Sequence, residues 1–252
     1  MTVSRRPFGL LLAAHGERRM DADNGVVVRL ARTLADKGVA AEVGFGFIKG
    51  SPTVDKAIGA LSSRDIVVYP LFLSDGYFTR VALPRLVEEA RRQDAERAIR
   101  ILPPLGLEPA LVDVIADEAV VAAHSRANLP AEMSIVLLAH GSKKDQASRL
   151  AAERLAGHLR QRQSSCDTRI ALLEESPSLA QAIEGMSGPI IVVGLFAGEG
   201  MHGADDAKRL VAELKRDDII LIGPVGTFAG IETVIVSAVT RYIFAGIQPA
   251  SI

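Results

Sequence analysis

Short, unbroken apolar runs alternate with amphipathic stretches along this chain. The runs at 8–14, 39–48, 65–72 and 99–103, and again at 134–139, 168–173, 189–196 and 218–223, predict strands buried on both faces. Between them apolar residues recur at three- and four-residue steps, as in GVVVRLARTLADKG (25–38), ALPRLVEEARRQ (82–93) and ADDAKRLVAELKR (204–216). That period predicts helices, with Pro84 near the start of its own. Ser51-Pro52 and Ser176-Pro177 predict two further helix starts of the N-cap-plus-proline kind. Strand–helix alternation implies βαβ crossovers, hence an α/β fold with a parallel sheet flanked by helices.

The pattern occurs twice. LLLAAHGERR (10–19) returns as IVLLAHGSKK (135–144), which places His15 over His140 at an offset of 125. GFIKGSPTV (46–54) lies over ALLEESPSL (171–179) at the same offset, VVYPLFLSDGYF (67–78) over IVVGLFAGEGMH (191–202) at 124, and LPPLGLEPALVDV (102–114) over IGPVGTFAGIETV (222–234) at 120. Four matches in one order indicate a tandem duplication. HSRANLPAEMS (124–134), polar and broken by Pro130, is the expected link between an N-terminal lobe at 1–125 and a C-terminal lobe at 133–252. The expected architecture is two tandem Rossmann-like lobes with a cleft between them.

Both His-Gly phrases fall just past the carboxyl end of a first strand, the edge where open α/β sheets place ligands. The second copy adds LFAGEGMHGADDAKRL (195–210), whose glycines allow close backbone approach to a flat ligand. His140, His202 and Glu174 would gather at these strand ends. Two imidazoles and a carboxylate suit Fe2+, Co2+ or Ni2+, and a neutral imidazole can accept a proton near neutral pH. From spacing alone a histidine after a strand is more often a loop residue with a satisfied hydrogen bond, and duplication copies a structural histidine as readily as a ligand.

The pairing of AHGS (139–142) with a later F-x-x-x-G-x-H-x-x-x-D (196–206) resembles the class II chelatases of the CbiX type in their two-repeat form. These are sirohydrochlorin cobalto- and ferrochelatases, relatives of protoporphyrin ferrochelatase. The resemblance implies that His140 and His202 hold the incoming metal, that His140 helps remove a pyrrole proton, and that Glu174 assists through charge. It implies a macrocycle supported by Ala197, Gly198, Glu199, Gly200 and Met201, with His15, Ser142, Lys143 and the acidic Asp206 as further substrate contacts. The metal, Co2+ or Fe2+, would be substrate; no organic cofactor is implied. The first copy departs from the pattern: Phe78 replaces the histidine, Ala82 the acid, and Lys49 stands where Glu174 stands. It nevertheless keeps Leu83-Pro84, where the second copy has Ala207-Lys208. One active site, built mainly on the second lobe, is therefore expected.

Composition narrows the alternatives. A net charge of −1 gives no electrostatic case for nucleic acid or a membrane surface, and aromatic residues at 4% without Trp make stacking surfaces for bases scarce. One cysteine, Cys166, excludes a disulfide framework and fits a reducing cytoplasm. The basic pair and apolar run of MTVSRRPFGLLLAA imitate an export signal, but the run is short and its twin sits mid-chain. GEGMHG lacks the Lys-Ser/Thr of a nucleotide P-loop. AHGER (14–18) touches on a histidine-phosphatase motif, yet Ala14 stands where that chemistry wants Arg. A non-catalytic metal or tetrapyrrole carrier on the same fold is the other reading. Arg18, Arg19, Lys49, Arg80, Lys143 and Lys144 are candidate carboxylate contacts, and Tyr77 and Phe78 could face a macrocycle. His124, His158 and Cys166 read as structural. A monomer suffices for the cleft; a dimer is the alternative.

Overall fold

Strands β1 (Phe8–Ala14) and β5 (Ser134–Ala139) each have a parallel neighbour at both edges and are buried on both faces, and it is the burial of both faces that explains why their sequences are apolar without alternation. The computed structural model describes residues 8–16, 24–125, 133–142, 145–198 and 202–245, and of 202, 244 and 245 the backbone alone. Arg18, Arg19, Lys143, Lys144, Glu199, Gly200 and Met201 lie outside the described residues, as does the link at 126–132.

The first sheet adds β2 (Glu42–Phe47), β3 (Asp65–Pro70) and β4 (Ala98–Ile101) in the order β2-β1-β3-β4. The second adds β6 (Thr168–Leu172), β7 (Ile190–Gly194) and β8 (Ile219–Ile222) in the same order, β6-β5-β7-β8. Every pairing is parallel. Leu10, Leu11 and Leu12 are wholly buried, and burial of each stabilises by roughly 1.5–3 kcal/mol. The expected pair of Rossmann-like lobes, each a parallel sheet flanked by helices, is what the chain forms.

Helices α1 (Gly25–Asp36), α2 (Val54–Ala60) and α3 (Leu83–Gln93) accompany the first sheet. Leu11, Ala13, Ile66 and Val68 form one core with Val54, Ile58, Leu83 and Val87 from α2 and α3. The second sheet carries α5 (Ala147–Arg162), α6 (Leu179–Ala182) and α7 (His202–Glu213), and an equivalent core joins Val136, Leu138 and Val192 to Leu179, Ile183 and Ala207. Ser51-Pro52 and Ser176-Pro177 do not cap helices as expected. Both are cis peptides, and the caps are Thr53 and Ser178. The carbonyls of Pro52 and Pro177 accept hydrogen bonds from the N–H of Phe47 and Leu172, so each Ser-Pro belongs to a turn folded back on a strand end. Ser178 and Gln181 complete a reciprocal capping box. No helix among the described residues is long and apolar enough to cross a membrane.

The sequence repeats and the compact units are drawn differently. One unit comprises residues 1–72, 77–108 and 232–252; the other comprises 73–76 and 109–231. Helix α4 (Leu111–His124), the last of the first repeat, packs on β7, β8 and α5, where Arg162 binds Asp113 at 2.6 Å and Glu118 accepts the Ala229 N–H at 2.9 Å. Helix α8 (Ile231–Ala245), the last of the second repeat, belongs from Glu232 onward to the first unit. There Glu232 meets Lys37 at 3.3 Å, the Tyr242 hydroxyl accepts from Arg100 at 2.9 Å, and Arg241 pairs with Glu108, a carboxylate only 4% exposed. Each repeat's final helix thus belongs to the compact unit that holds the other repeat's sheet.

Candidate active site

In the second unit β5 is buried to its last residue, and the chain leaves it at His140. Gly141 then takes a left-handed conformation (φ +74°), which turns the backbone out of the sheet without the steric cost a side-chain-bearing residue would meet there. The His140 carbonyl accepts the N–H groups of Leu173 and Glu174, both at 3.1 Å, which brings the end of β6 alongside the histidine. His140 Nδ1 lies 3.6 Å from Glu174 Oε1, with the side chains 42% and 53% exposed. Two of the three residues expected at the centre of the site are therefore brought together, open to solvent.

The adjacent carboxylate, Glu175, has a different task. It accepts the Ser142 N–H at 3.1 Å and Arg149 Nη2 at 2.7 Å. The Arg149 guanidinium, followed by the Ser142 N–H, holds the Glu175 carboxyl below the ordinary glutamate range. Arg149 also donates to the Ser176 carbonyl. The Gly141 N–H donates to the Ser148 hydroxyl at 3.2 Å, and the Asp145 N–H donates to the Ser142 hydroxyl at 3.3 Å. The His-Gly-Ser turn is in this way tied to both β6 and the first turn of α5. Segment 73–76 joins the same unit: a Cβ on Gly76 would stand 2.9 Å from Asp145 Oδ2 and 3.1 Å from Ala147 Cβ, so only glycine lies there undisturbed. Sequence reasoning missed Glu175 and Gly76. The doubled EE at 174–175, set against Lys49-Gly50 in the first copy, was the signal for Glu175.

The glycine-rich loop leaves β7 at Gly194. The Leu195 N–H donates to the Leu138 carbonyl at 2.8 Å, and Phe196 is 3% exposed. Phe196 is clamped by two glycines: a Cβ on Gly203 would lie 2.6 Å from its ring and one on Gly194 would lie 3.1 Å from it, while Gly226 leaves room for the Ala197 carbonyl. The Gly226 N–H donates to the Phe196 carbonyl at 3.2 Å. Ala197 and Gly198 are half-buried, with open space beside Gly198. Helix α7 begins at His202, so the backbone delivers this histidine at the helix start, while its side chain lies outside the described residues. Asp206, half-exposed, pairs with Arg209 at 2.8 Å along α7. Among the described residues no group of three His, Cys, Asp or Glu side chains is close enough to hold a metal.

The first unit repeats the backbone arrangement with other side chains. Gly16 has φ +70°, and the His15 carbonyl accepts the Lys49 N–H at 2.7 Å, as the His140 carbonyl accepts that of Glu174. The His15 ring donates from Nδ1 to the Gly16 carbonyl at 2.8 Å and meets Phe78 edge-on, centroids 4.6 Å apart. Arg80 is exposed. The remaining sulfur and imidazoles have local roles. His124 donates to the Val120 carbonyl at 2.8 Å at the end of α4, His158 is exposed on α5, and burial pushes the Cys166 thiol up.

The sequence model of the CbiX family matches residues 9–121 and 134–242, once in each repeat. A probable sirohydrochlorin cobaltochelatase of Halobacterium salinarum is 23% identical over 217 residues, covering 78% of this chain and 74% of that protein. Among solved structures, CbiX, the terminal enzyme for biosynthesis of siroheme in denitrifying bacteria, superposes with a TM-score of 0.70 at 25% identity, covering 92% of this chain and 98% of that one. A multi-domain protein of Deinococcus radiodurans with structural similarity to chelatases superposes with a TM-score of 0.76 at 22% identity, over 93% of this chain. The chain spans 55% of the length of that protein.

Proposed function

The chain belongs to the CbiX family, and on that premise we propose that it is a metal chelatase that inserts a divalent cation, Co2+ or Fe2+, into sirohydrochlorin or a closely related tetrapyrrole. The observation that carries this reading is the exposed His140–Glu174 pair at the ends of β5 and β6, on the same unit as the helix that begins at His202.

Insertion replaces two pyrrole N–H protons with one metal dication. Neutral imidazoles bind first-row dications firmly enough to displace water and weakly enough to let the metal pass on. In this reading His140 and His202 present the metal, His140 accepts one pyrrole proton as the metal leaves it, and the second proton passes to solvent. Glu174 supplies the compensating negative charge at 3.6 Å. Glu175 and Arg149 act through the turn, fixing where the His140 ring stands. Ser142, Lys143, the loop at 197–201, Asp206 and His15 are the proposed macrocycle contacts, and the cytoplasm is the proposed location. A monomer is the proposed active form.

The test is a side-by-side insertion assay with Co2+, Fe2+ and Ni2+ on two metal-free tetrapyrroles, followed by macrocycle absorbance. Wild type accelerates insertion, while His140→Ala and His202→Ala each abolish the acceleration. Full activity in both variants refutes the assignment. A carrier without turnover is the second reading, favoured by the loss of metal donors at Lys49 and Phe78 in the first unit. It predicts tight binding and no more than one insertion per chain.

A further inference from the structure

Strand β2 is the outer strand of its sheet, paired with β1 on one side and open on the other. Among the described residues only its last one, Phe47, has a second backbone neighbour, at Thr53. The Ala41 N–H donates to the Phe8 carbonyl, and strand alternation then turns the peptide groups of Val43 and Phe45 to β1 and those of Glu42 and Gly44 outward. Crossovers in opposite directions, from β1 out to β2 and from β2 back to β3, put α1 and α2 on opposite faces of the sheet. Both helices pack on β2, and between them its flank forms a groove of about 380 Å3. Val43, Gly44 and Phe45 make the floor and alanines of both helices the walls. The two charged residues of the lining are both basic and exposed, Arg32 from α1 and Lys56 from α2.

The second repeat closes the same place. At the offset of 125 Gly44 corresponds to Arg169, on the outer strand β6. Arg169 donates to the Ala182 and Glu184 carbonyls at 3.0 and 2.9 Å and pairs with Asp167 at 2.8 Å, so its side chain reaches from the strand to the end of α6. A charged side chain laid on an outer strand is a usual guard against the addition of a further strand. In the first repeat glycine removes that guard. The nearby carboxylate is also drawn off, since Glu42 accepts the N–H groups of Ser62 and Ser63. A Cβ on Gly44 would meet the side-chain ends of Leu11 and Leu61 at 3.3 Å and no backbone, so internal packing does not demand the glycine. Glycine inside a strand commonly marks the close approach of another backbone.

We propose that the flank of β2 is a docking site for an extended, acidic segment of another protein, which adds to the first sheet as a fifth strand. Main-chain hydrogen bonds to Glu42 and Gly44 supply affinity, and alternate side chains of the segment enter on the α1 side and the α2 side. Each side offers apolar wall and one cation, so the segment brings an apolar and an acidic side chain to each. A second copy of this chain is a poor occupant, because pairing two β2 flanks sets one Arg32–Lys56 rim against another. The proposal stands apart from the insertion chemistry, which lies at strand ends of the second unit.

The experiment titrates the full chain at low salt with fluorescein-labelled hexapeptides, two adjacent acidic residues flanked by valine, leucine or phenylalanine, and follows anisotropy. Binding is expected, with slowed hydrogen exchange at the Glu42 and Gly44 amides. Arg32→Glu/Lys56→Glu weakens it at least about tenfold, with a loss that shrinks as salt is added. Gly44→Leu fills the groove at unchanged charge and weakens binding by the same order; the charge variant, altered only at exposed positions, keeps the test valid if Gly44→Leu does not fold. N-methylation of one alternate set of peptide amides abolishes binding and of the other set spares it, a signature that charge attraction alone does not produce. Failure of every peptide to bind overturns the proposal, as does wild-type affinity in the charge variant or indifference to both methylation sets. A concentration-dependent dimer in sedimentation that Gly44→Leu abolishes also overturns it, and assigns the flank to a second copy.

Discussion

Adding a single methyl group at each of the two His-Gly turns separates the physical reasons for the glycines. Gly16 and Gly141 have φ of +70° and +74°, so alanine at either pays a left-handed backbone penalty of about 1–2 kcal/mol. Beyond that the two positions diverge. A Cβ on Gly141 would meet Glu175 Cγ at 3.0 Å, Oε1 at 3.1 Å and Leu172 Cβ at 3.2 Å. Glu175 is a flexible side chain that can swing away, so Gly141→Ala is expected to destabilise by about 1–3 kcal/mol in all. A Cβ on Gly16 would stand 2.4 Å from the Lys49 carbonyl oxygen and 2.5 Å from Cβ of Phe47, a ring 1% exposed. Neither can move without shifting the end of β2, so Gly16→Ala is expected to cost about 3–5 kcal/mol. Function should run the other way. The displacement of Glu175 in Gly141→Ala releases the turn that carries His140, and a misplacement of about 1 Å in a reacting group lowers rates about a hundredfold. Urea unfolding followed by circular dichroism gives the stability order, and metal insertion per folded molecule gives the activity order. A Gly16→Ala protein as stable as Gly141→Ala, or a Gly141→Ala protein with wild-type insertion, would refute the reasoning.

Four further outcomes are expected. His140→Ala lowers Co2+ affinity at least about tenfold by calorimetry, whereas His124→Ala and His158→Ala leave it unchanged. Glu175→Gln is less stable than wild type at neutral pH. Because the folded pKa of Glu175 is depressed, that advantage is complete above the ordinary glutamate value of about 4.3 and disappears as pH falls through the lowered folded value. A thermal-unfolding series from pH 7 downward checks this, and a gap that does not narrow as pH falls below the ordinary glutamate value contradicts it. Arg241→Met strands the buried Glu108 carboxylate and costs about 1–3 kcal/mol, less than for a fully buried pair because Arg241 is 55% exposed. The double variant Glu108→Leu/Arg241→Met recovers part of that loss in the same urea assay. Phe196→Ala empties the pocket between Gly194 and Gly203 and lowers stability by about 3–5 kcal/mol, read from the unfolding midpoint.

Much of the candidate site could be read from the chain because the chemistry sits at strand ends, and strand ends are where apolar runs stop. His140 and Glu174 follow β5 and β6 directly, so their meeting required only that the two strands be parallel neighbours. Glu175 was hidden for a related reason. One residue further along the chain, its side chain turns to Arg149 and the Ser142 N–H, and no local pattern distinguishes a carboxylate that anchors a turn from one that faces solvent. The Ser-Pro pairs misled because a proline after serine suits a helix start as well as a turn, and the choice was made by the hydrogen bonds from Phe47 and Leu172.

The order of strands and helices, the duplication and the placement of both His-Gly turns are properties of the amino-acid sequence itself. They follow from how many faces of each segment must be buried, a local requirement that the spacing of apolar residues records. The exchange of α4 and α8 is a property of the tertiary structure. An amphipathic helix specifies that it needs an apolar surface and leaves open which of two similar sheets supplies it. Contacts far apart in the chain made that choice, with Arg162 on Asp113 for one helix and Arg241 on Glu108 for the other.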